Sequence, residues 1–376
     1  MTPYAEAGSR PCATSMAKLF LCGDVMTGRG IDQILAAPGD PALDEPWVKD
    51  ARDYVALAER ASGPIPRGVD PAYVWGEALA ILDEERPDAR IVNLETAVTT
   101  SDERAPKGIN YRMHPANAGC LAAARIDCCV LANNHVLDWG SAGLEETLDT
   151  LQRAGIRVAG AGRNAAQAAA PATLAMPAGG RLLVFAYGLE SSGVPAAWAA
   201  GHDRPGVSFL PDLSSASAER AARHALEAKR AGDIAIVSLH WGPNWGYAVE
   251  GAQRRFAHRL IDAGAADLVH GHSSHHPGAL EMHRDRLILY ACGDFLNDYE
   301  GIEGHESFRP ELTLMYLPEL DGASGALRSL TLRPMRLRRF RLERAGEADA
   351  DWLAQVLRRV SGADIARASD NALRLR

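Results

Sequence analysis

Lys18-Leu19-Phe20-Leu21-Cys22-Gly23-Asp24-Val25-Met26 opens as an unbroken apolar run and closes on a glycine followed by a carboxylate. A continuous run without polar alternation reads as a strand covered on both faces, the environment of a parallel sheet flanked by helices. The pattern recurs downstream. Arg90 to Glu95 ends in Asn93-Leu94-Glu95, and Asp127 to His135 ends in Asn133-Asn134-His135. Arg181 to Gly188, Asp233 to Trp241 and Asp267 to His272 are further apolar runs bounded by Gly, Pro or Asp. Helical periodicity fills the gaps. Leu144, Leu148 and Leu151 recur within Gly143 to Ala154, with Ser141 as the expected N-cap and Gly155 as the stop, and Ser217 to Ala231 and Gln253 to Ala263 behave likewise. This alternation predicts βαβ units and a largely parallel sheet.

After Pro277 the character changes. Glu281 to Tyr290 reads as a hairpin around His283-Arg284-Asp285-Arg286, and Glu311 to Leu317 and Ala326 to Leu342 alternate as half-exposed antiparallel strands. Asp349 to Val360 reads as a last helix, and the basic run Arg333 to Arg344 as a solvated strand face. The expected fold is an α/β sandwich of two mixed sheets with helices outside. Residues 1–17 form an expected disordered leader, with Met16 as an alternative start; 18–320 form the main domain, and 321–376 add strands and a helix to it. Ala36 to Asp70, rich in proline and polar residues, reads as an insertion packed near the site.

A chain of 376 residues with 47% hydrophobic and 23% charged residues fits a soluble globular protein. Its net charge of −8 repels a phosphate backbone and argues against a nucleic-acid partner. No apolar run approaches the ~20 residues of a membrane helix, and Leu19 to Cys22 is too short for a signal-peptide core, so no membrane anchor and a cytoplasmic location are expected. The six cysteines include no C-x-x-C pair; Cys22, Cys128, Cys129 and Cys292 lie in apolar runs and read as buried thiols. Gly160 to Ala165 superficially matches a dinucleotide fingerprint but has no acidic residue in the right place, and reads as a tight strand-to-helix turn. P-loop and Gly-x-Ser-x-Gly motifs are absent.

The chemistry gathers at strand ends. Asp24, Glu95, Asn134 with His135, His240, and His272 with His275 all stand at or just past the carboxyl end of an expected strand, where open α/β sheets bind ligands. Asn93 and Glu95, two apart, share a face; His272 and His275 flank a tight loop that can aim both at one point. One histidine at a strand end is ordinarily just a hydrogen-bonded residue. Five separate segments carrying such groups point instead to a metal site. All the donors are nitrogen or oxygen, which suits one or two ions of Mn, Zn or Fe. Arg29 and Arg112 are candidates for gripping a carboxylate or phosphate, with a surface role favoured for Arg112. Asp138 is placed either to orient His135 or to cap a helix. Trp241 and Trp245 either line a cleft or pack in the core.

In chain order, Gly23-Asp24-Val25-Met26-Thr27-Gly28-Arg29, Asn93-Leu94-Glu95, Ala132-Asn133-Asn134-His135-Val136-Leu137-Asp138-Trp139-Gly140, His240-Trp241-Gly242, Gly271-His272 with His275, and Leu289-Tyr290-Ala291-Cys292-Gly293-Asp294-Phe295 resemble the motifs of the CapA family. These are bacterial capsule-synthesis proteins linked to poly-γ-glutamate, and the resemblance spans about residues 18 to 317. The family is itself similar to the calcineurin-like metallophosphatases. The resemblance implies a metallophosphatase-like four-layer αββα sandwich with mixed sheets. It implies Asp24 as the first-strand ligand, Glu95 in the place of a bridging carboxylate, Asn134 as a ligand, His135 as the acid beside the substrate, and His240, His272 and His275 completing the metal shell. The sequence departs from the pattern at Met26, where the phosphatases have a histidine. Ser273-Ser274 stands where the family has His and Pro, and Asp294, a possible extra carboxylate, stands where it has Asn.

The implied activity is metal-dependent hydrolysis of an anionic amide or phosphoester, on a small-molecule, peptide or polyglutamate substrate. The alternatives are a metal-dependent acid/base enzyme such as a peptide epimerase, and a non-catalytic accessory protein of capsule assembly.

Overall fold

The computed structural model describes residues 16–177 and 179–376; the expected leader, Met16 and Ala17 apart, lies outside them. The larger sheet runs in the order Ile365–Arg367, Leu373–Leu375, Leu327–Arg338, Leu312–Asp321, Met16–Val25, Ala89–Leu94, Cys128–Val130, Arg157–Ala159. Pairing is parallel from Met16–Val25 to Arg157–Ala159, where connections carry helices, and antiparallel on the C-terminal side, where hairpins suffice. The smaller sheet runs Phe209–Leu210, Arg181–Leu189, Ile234–His240, Leu268–His272, Arg286–Leu289, Leu280–His283, with Ala172–Ala175 added antiparallel to Arg181–Leu189.

Side-chain alternation on the strands makes the layers. Leu19, Leu21, Ile91, Cys128 and Val130 of the larger sheet meet Leu182, Val184, Ile236, Leu268 and Leu287 of the smaller one in a shared core. The intervening Phe20, Cys22, Val92 and Cys129 face outward against helical residues such as Leu144 and Leu151. On the far side, Phe185, Ala235 and Val237 pack on Ala218, Ala222, Phe256 and Leu260. The result is the four-layer αββα sandwich.

Several boundaries differ from the sequence reading for local reasons. The helix Gly140–Arg153 starts before Ser141 and has no side-chain cap, because Trp139 occupies the cap position. The run Asp127 to His135 is strand only over Cys128–Val130. Asn133 ends it: its Oδ1 accepts from the N–H groups of His135 and Val136, and its Nδ2 donates to Asn93 Oδ1 and Leu94 O. The basic run from Arg333 is a hairpin, Leu327–Arg338 with Arg341–Arg344, and its arginines are ion-paired: Arg333 holds Glu85 and Asp370, Arg336 holds Asp349, and Arg344 holds Glu84. The described cysteines, Cys22, Cys120, Cys128, Cys129 and Cys292, are free and buried.

Candidate metal centre

All the parallel strand ends point to one side, and the expected residues meet there. Asp24 closes Met16–Val25, His240 closes Ile234–His240, and His272 stands opposite His240 in register on the neighbouring strand. Asp24, Glu95, His240, His272 and Asp294 are each at most 3% exposed.

Two groups of donor atoms form around one carboxylate. Asp24, His240 and His272 bring ligand atoms within 4.8 Å of one another, and so do Asp24, His275 and Asp294. Asp24 is the carboxylate common to both groups, whereas the resemblance puts Glu95 in the place of a bridging carboxylate. Glu95 stands beside it, with Oε1 3.9 Å from His240 Nε2 and 3.8 Å from His135 Nε2. Asn134 Oδ1 lies 3.0 Å from His240 Nε2. His272 and His275 fall in different donor groups that share Asp24, and Ser273 between them takes a positive φ of 101°. Ser273 N–H donates to Asp24 Oδ2 at 3.2 Å.

The donor chemistry fits divalent cations. Burial, and next the carboxylate of Asp294, pushes the Asp24 carboxyl up to about 7. Burial, with Asp24 and Asp294 beside it, likewise raises Glu95 well above the usual range. Crowded, desolvated carboxylates are costly until a cation offsets them. Asn93 relieves part of the strain, its Nδ2 donating to Asp24 Oδ1 at 2.7 Å and to Glu95 Oε2 at 3.2 Å. His240 and His272 are pushed well down by burial and so carry free lone pairs, and their Nδ1 atoms face each other at 2.8 Å. Ser238 Oγ lies 2.9 Å from His272 Nε2, which leaves Nδ1 to turn toward Asp24. Burial alone would lower His275, but Asp294, 2.8 Å from its Nδ1, raises it.

His135 sits at the edge of this centre rather than in it. Its Nδ1 is 2.6 Å from Asp138 Oδ2. The Asp138 oxygens also accept from Tyr111 N–H and Lys107 Nζ, each at 2.7 Å, so the carboxylate is a pure acceptor and the proton of the ring lies on Nδ1. Nε2 is left as the exchangeable atom. Of the two roles open to Asp138, the structure places it in the orienting one, since it precedes the helix Gly140–Arg153 without capping it.

Arg29 is not turned to a ligand. Its guanidinium is 3% exposed and pairs with Asp298 at 2.5 and 3.1 Å, with Glu45 at 2.9 Å and with Tyr54 Oη at 3.0 Å. Glu45 and Tyr54 come from the proline-rich insertion, which is thereby pinned beside the site. Arg112 is buried, not a surface residue: it lies 3.9 Å over the Trp139 ring and donates to Ser101 O and Asp40 O. Trp241 packs in the core, stacked on Tyr290 with its Nε1 donating to Tyr290 O. Trp245 is half-buried, stacks on His305 at 3.8 Å and reaches His275 at 5.3 Å, so it flanks the centre. Asp294 and Lys107 are the additions to the expected set. The first was signalled by its departure from the usual Gly-Asn-Phe; Lys107 lies in a loop with no motif around it.

A family model described as bacterial capsule synthesis protein PGA_cap matches residues 18–299. The chain belongs to this family. A probable polyglutamine synthesis accessory protein of Mycobacterium tuberculosis is 50% identical over 360 residues, covering 94% of both chains. The PGA biosynthesis protein CapA of Bacillus subtilis is 28% identical over 284 residues, 73% of this chain and 62% of that one. The PGA_cap match agrees with the metallophosphatase-like sandwich described above. Among the described residues no helix is long and apolar enough to cross a membrane.

Proposed function

We propose that this PGA_cap protein is a metal-dependent hydrolase that cleaves an anionic amide or phosphoester, with a polyglutamate-type polymer or a piece of one as substrate. The observation that carries this reading is the position of Asp24 in both donor groups, which suits one ion or a bridged pair of Mn, Zn or Fe. Asp24, His240, His272 and Asn134 would hold one ion, and Asp24, His275 and Asp294 the other. Ions held there would polarise the scissile group and lower the pKa of water.

The residues of the chain supply positioning and proton transfer. Asp138 fixes the His135 tautomer, and His135 Nε2 takes the proton of the attacking water and returns it to the leaving group. Lys107, held by Asp138 with its side chain about a quarter exposed, puts a positive charge at the rim, where a substrate carboxylate would meet it. The substrate class draws on the names of the relatives, which speak of polyglutamine and PGA synthesis.

The test uses the full chain stripped with a chelator and reloaded with Mn²⁺, Zn²⁺ or Fe²⁺. Turnover of γ-glutamyl amides or phosphoesters that requires metal and is abolished by His240→Ala is expected. Metal binding without turnover of either class overturns the hydrolase. A second reading rests on the word accessory in the name of the 50% identical relatives. In that case His135→Ala leaves polymer production in cells unchanged.

A further inference from the structure

A second set of closely spaced His and Glu side chains stands on the outer surface of the smaller sheet, away from Asp24. His258 lies on the helix Gly251–Asp262, and Glu281 and His283 lie two apart on the strand Leu280–His283, hence on one face of it. Ligand atoms of these three residues are all within 4.8 Å of one another. Their arrangement is fixed from behind. Glu281 Oε2 is taken by Arg254 Nε and by Tyr290 Oη, each at 3.0 Å, which leaves Oε1 aimed at His258 Nε2, 2.6 Å away. His283 Nε2 is anchored on Asp262 Oδ1 at 2.8 Å, and Asp262 is held in turn by Arg284. The two imidazoles lie face to face, 3.8 Å apart and 6° from parallel. All three side chains are a fifth to a third exposed, open to an ion from solvent.

We propose that His258, Glu281 and His283 form a surface site for a borderline divalent ion, of which Zn²⁺ is the probe of choice. Two imidazoles and one carboxylate are a common donor set for such ions. Ligand bonds to such an ion are about 2.0–2.2 Å, so the three donors, now within 4.8 Å of one another, would draw in around it. Hard ions such as Mg²⁺, which prefer oxygen cages, are disfavoured. A bound ion would clamp the hairpin to the helix across the outer layer. Tyr290, which holds Glu281, also stacks on Trp241, the neighbour of His240.

The experiment titrates full-length protein with Zn²⁺ by calorimetry, comparing wild type with His283→Asn and His258→Gln. Each variant is expected to bind one equivalent fewer than wild type while keeping the ions of the Asp24 centre. Equal stoichiometry in all three, or an extra equivalent that survives both replacements, overturns the site. Anomalous scattering at the zinc edge from crystals of the unaltered protein decides the question even where a variant fails to fold. A peak between His258, Glu281 and His283 supports the site, and its absence at saturating Zn²⁺ overturns it.

Discussion

Asp24 and Asp294 stand opposite each other, in register, on neighbouring parallel strands. The approach is possible because Gly23 and Gly293 lack side chains: a Cβ on Gly23 would fall 1.8 Å from Gly293 O, and Gly293 itself has a φ of +77°. Asp294 thus brings a carboxylate beside Asp24 from the strand next to Met16–Val25, just before Met26, where the resembling phosphatases have a histidine. Asp294→Asn is expected to weaken metal binding at the Asp24–His275 pair by at least about tenfold while the His240–His272 pair keeps its ion. Metal content after dialysis against graded chelator measures both; unchanged content would remove Asp294 from the ligand set.

Asp138→Asn leaves the shape intact but replaces a pure acceptor with a group that can donate. The His135 proton is then free to move to Nε2, the atom assigned to accept. Turnover is expected to fall by about 10²–10⁴-fold with metal content unchanged. A fall in metal content of the same size would mean that Asp138 serves the metal shell instead.

Arg29 offers a sharp contrast between two roles. Held by Asp298, Glu45 and Tyr54, it should matter to stability. Arg29→Met leaves two buried carboxylates unpaired and is expected to cost about 3–5 kcal/mol in urea denaturation. A variant of normal stability with a raised KM would return Arg29 to substrate binding.

Glu85 joins three elements by accepting from Lys18 at 2.6 Å and Arg333 at 2.6 Å. Burial would raise its carboxyl, but the two cations outweigh burial and hold it below its ordinary value. A lowered folded-state pKa contributes stability above the unfolded value of about 4.3, lost as pH falls through the folded value. Glu85→Gln is therefore expected to destabilise by about 1–3 kcal/mol at pH 7. The difference from wild type should shrink as pH falls through the lowered folded value and vanish below it, where both chains carry a neutral side chain. A penalty that persists there would trace to packing instead of charge.

Much of this centre was legible because its chemistry follows strand ends. Asp24, His240 and His272 each close an apolar run, and the run itself tells where the side chain will be presented. The fold was legible for the same reason, down to the hairpin Leu280–His283 with Arg286–Leu289 and the antiparallel strands from Leu312 onward, although Arg286–Leu289 and Asp294–Leu296 also pair in parallel with earlier strands. What escaped depends on contacts distant in sequence. The second donor group of Asp24 depends on Asp294, which arrives from 270 residues away, a pairing no local pattern encodes. Arg29 follows the Asp24 loop as a ligand-gripping residue would, yet Glu45 and Asp298 claim it. The positive φ of Ser273, between His272 and His275, is likewise something the residue type gives no reason to foresee.

Because Asp24, Glu95 and Asp294 ride on the larger sheet while His240 and His272 ride on the smaller one, neither half of the sandwich owns a complete ligand set. An ion seated between them would act as a rivet through the layers, and its capture would have to follow their docking during folding. Refolding with and without metal should then share the early collapse and diverge only at the last step, where the two sheets lock.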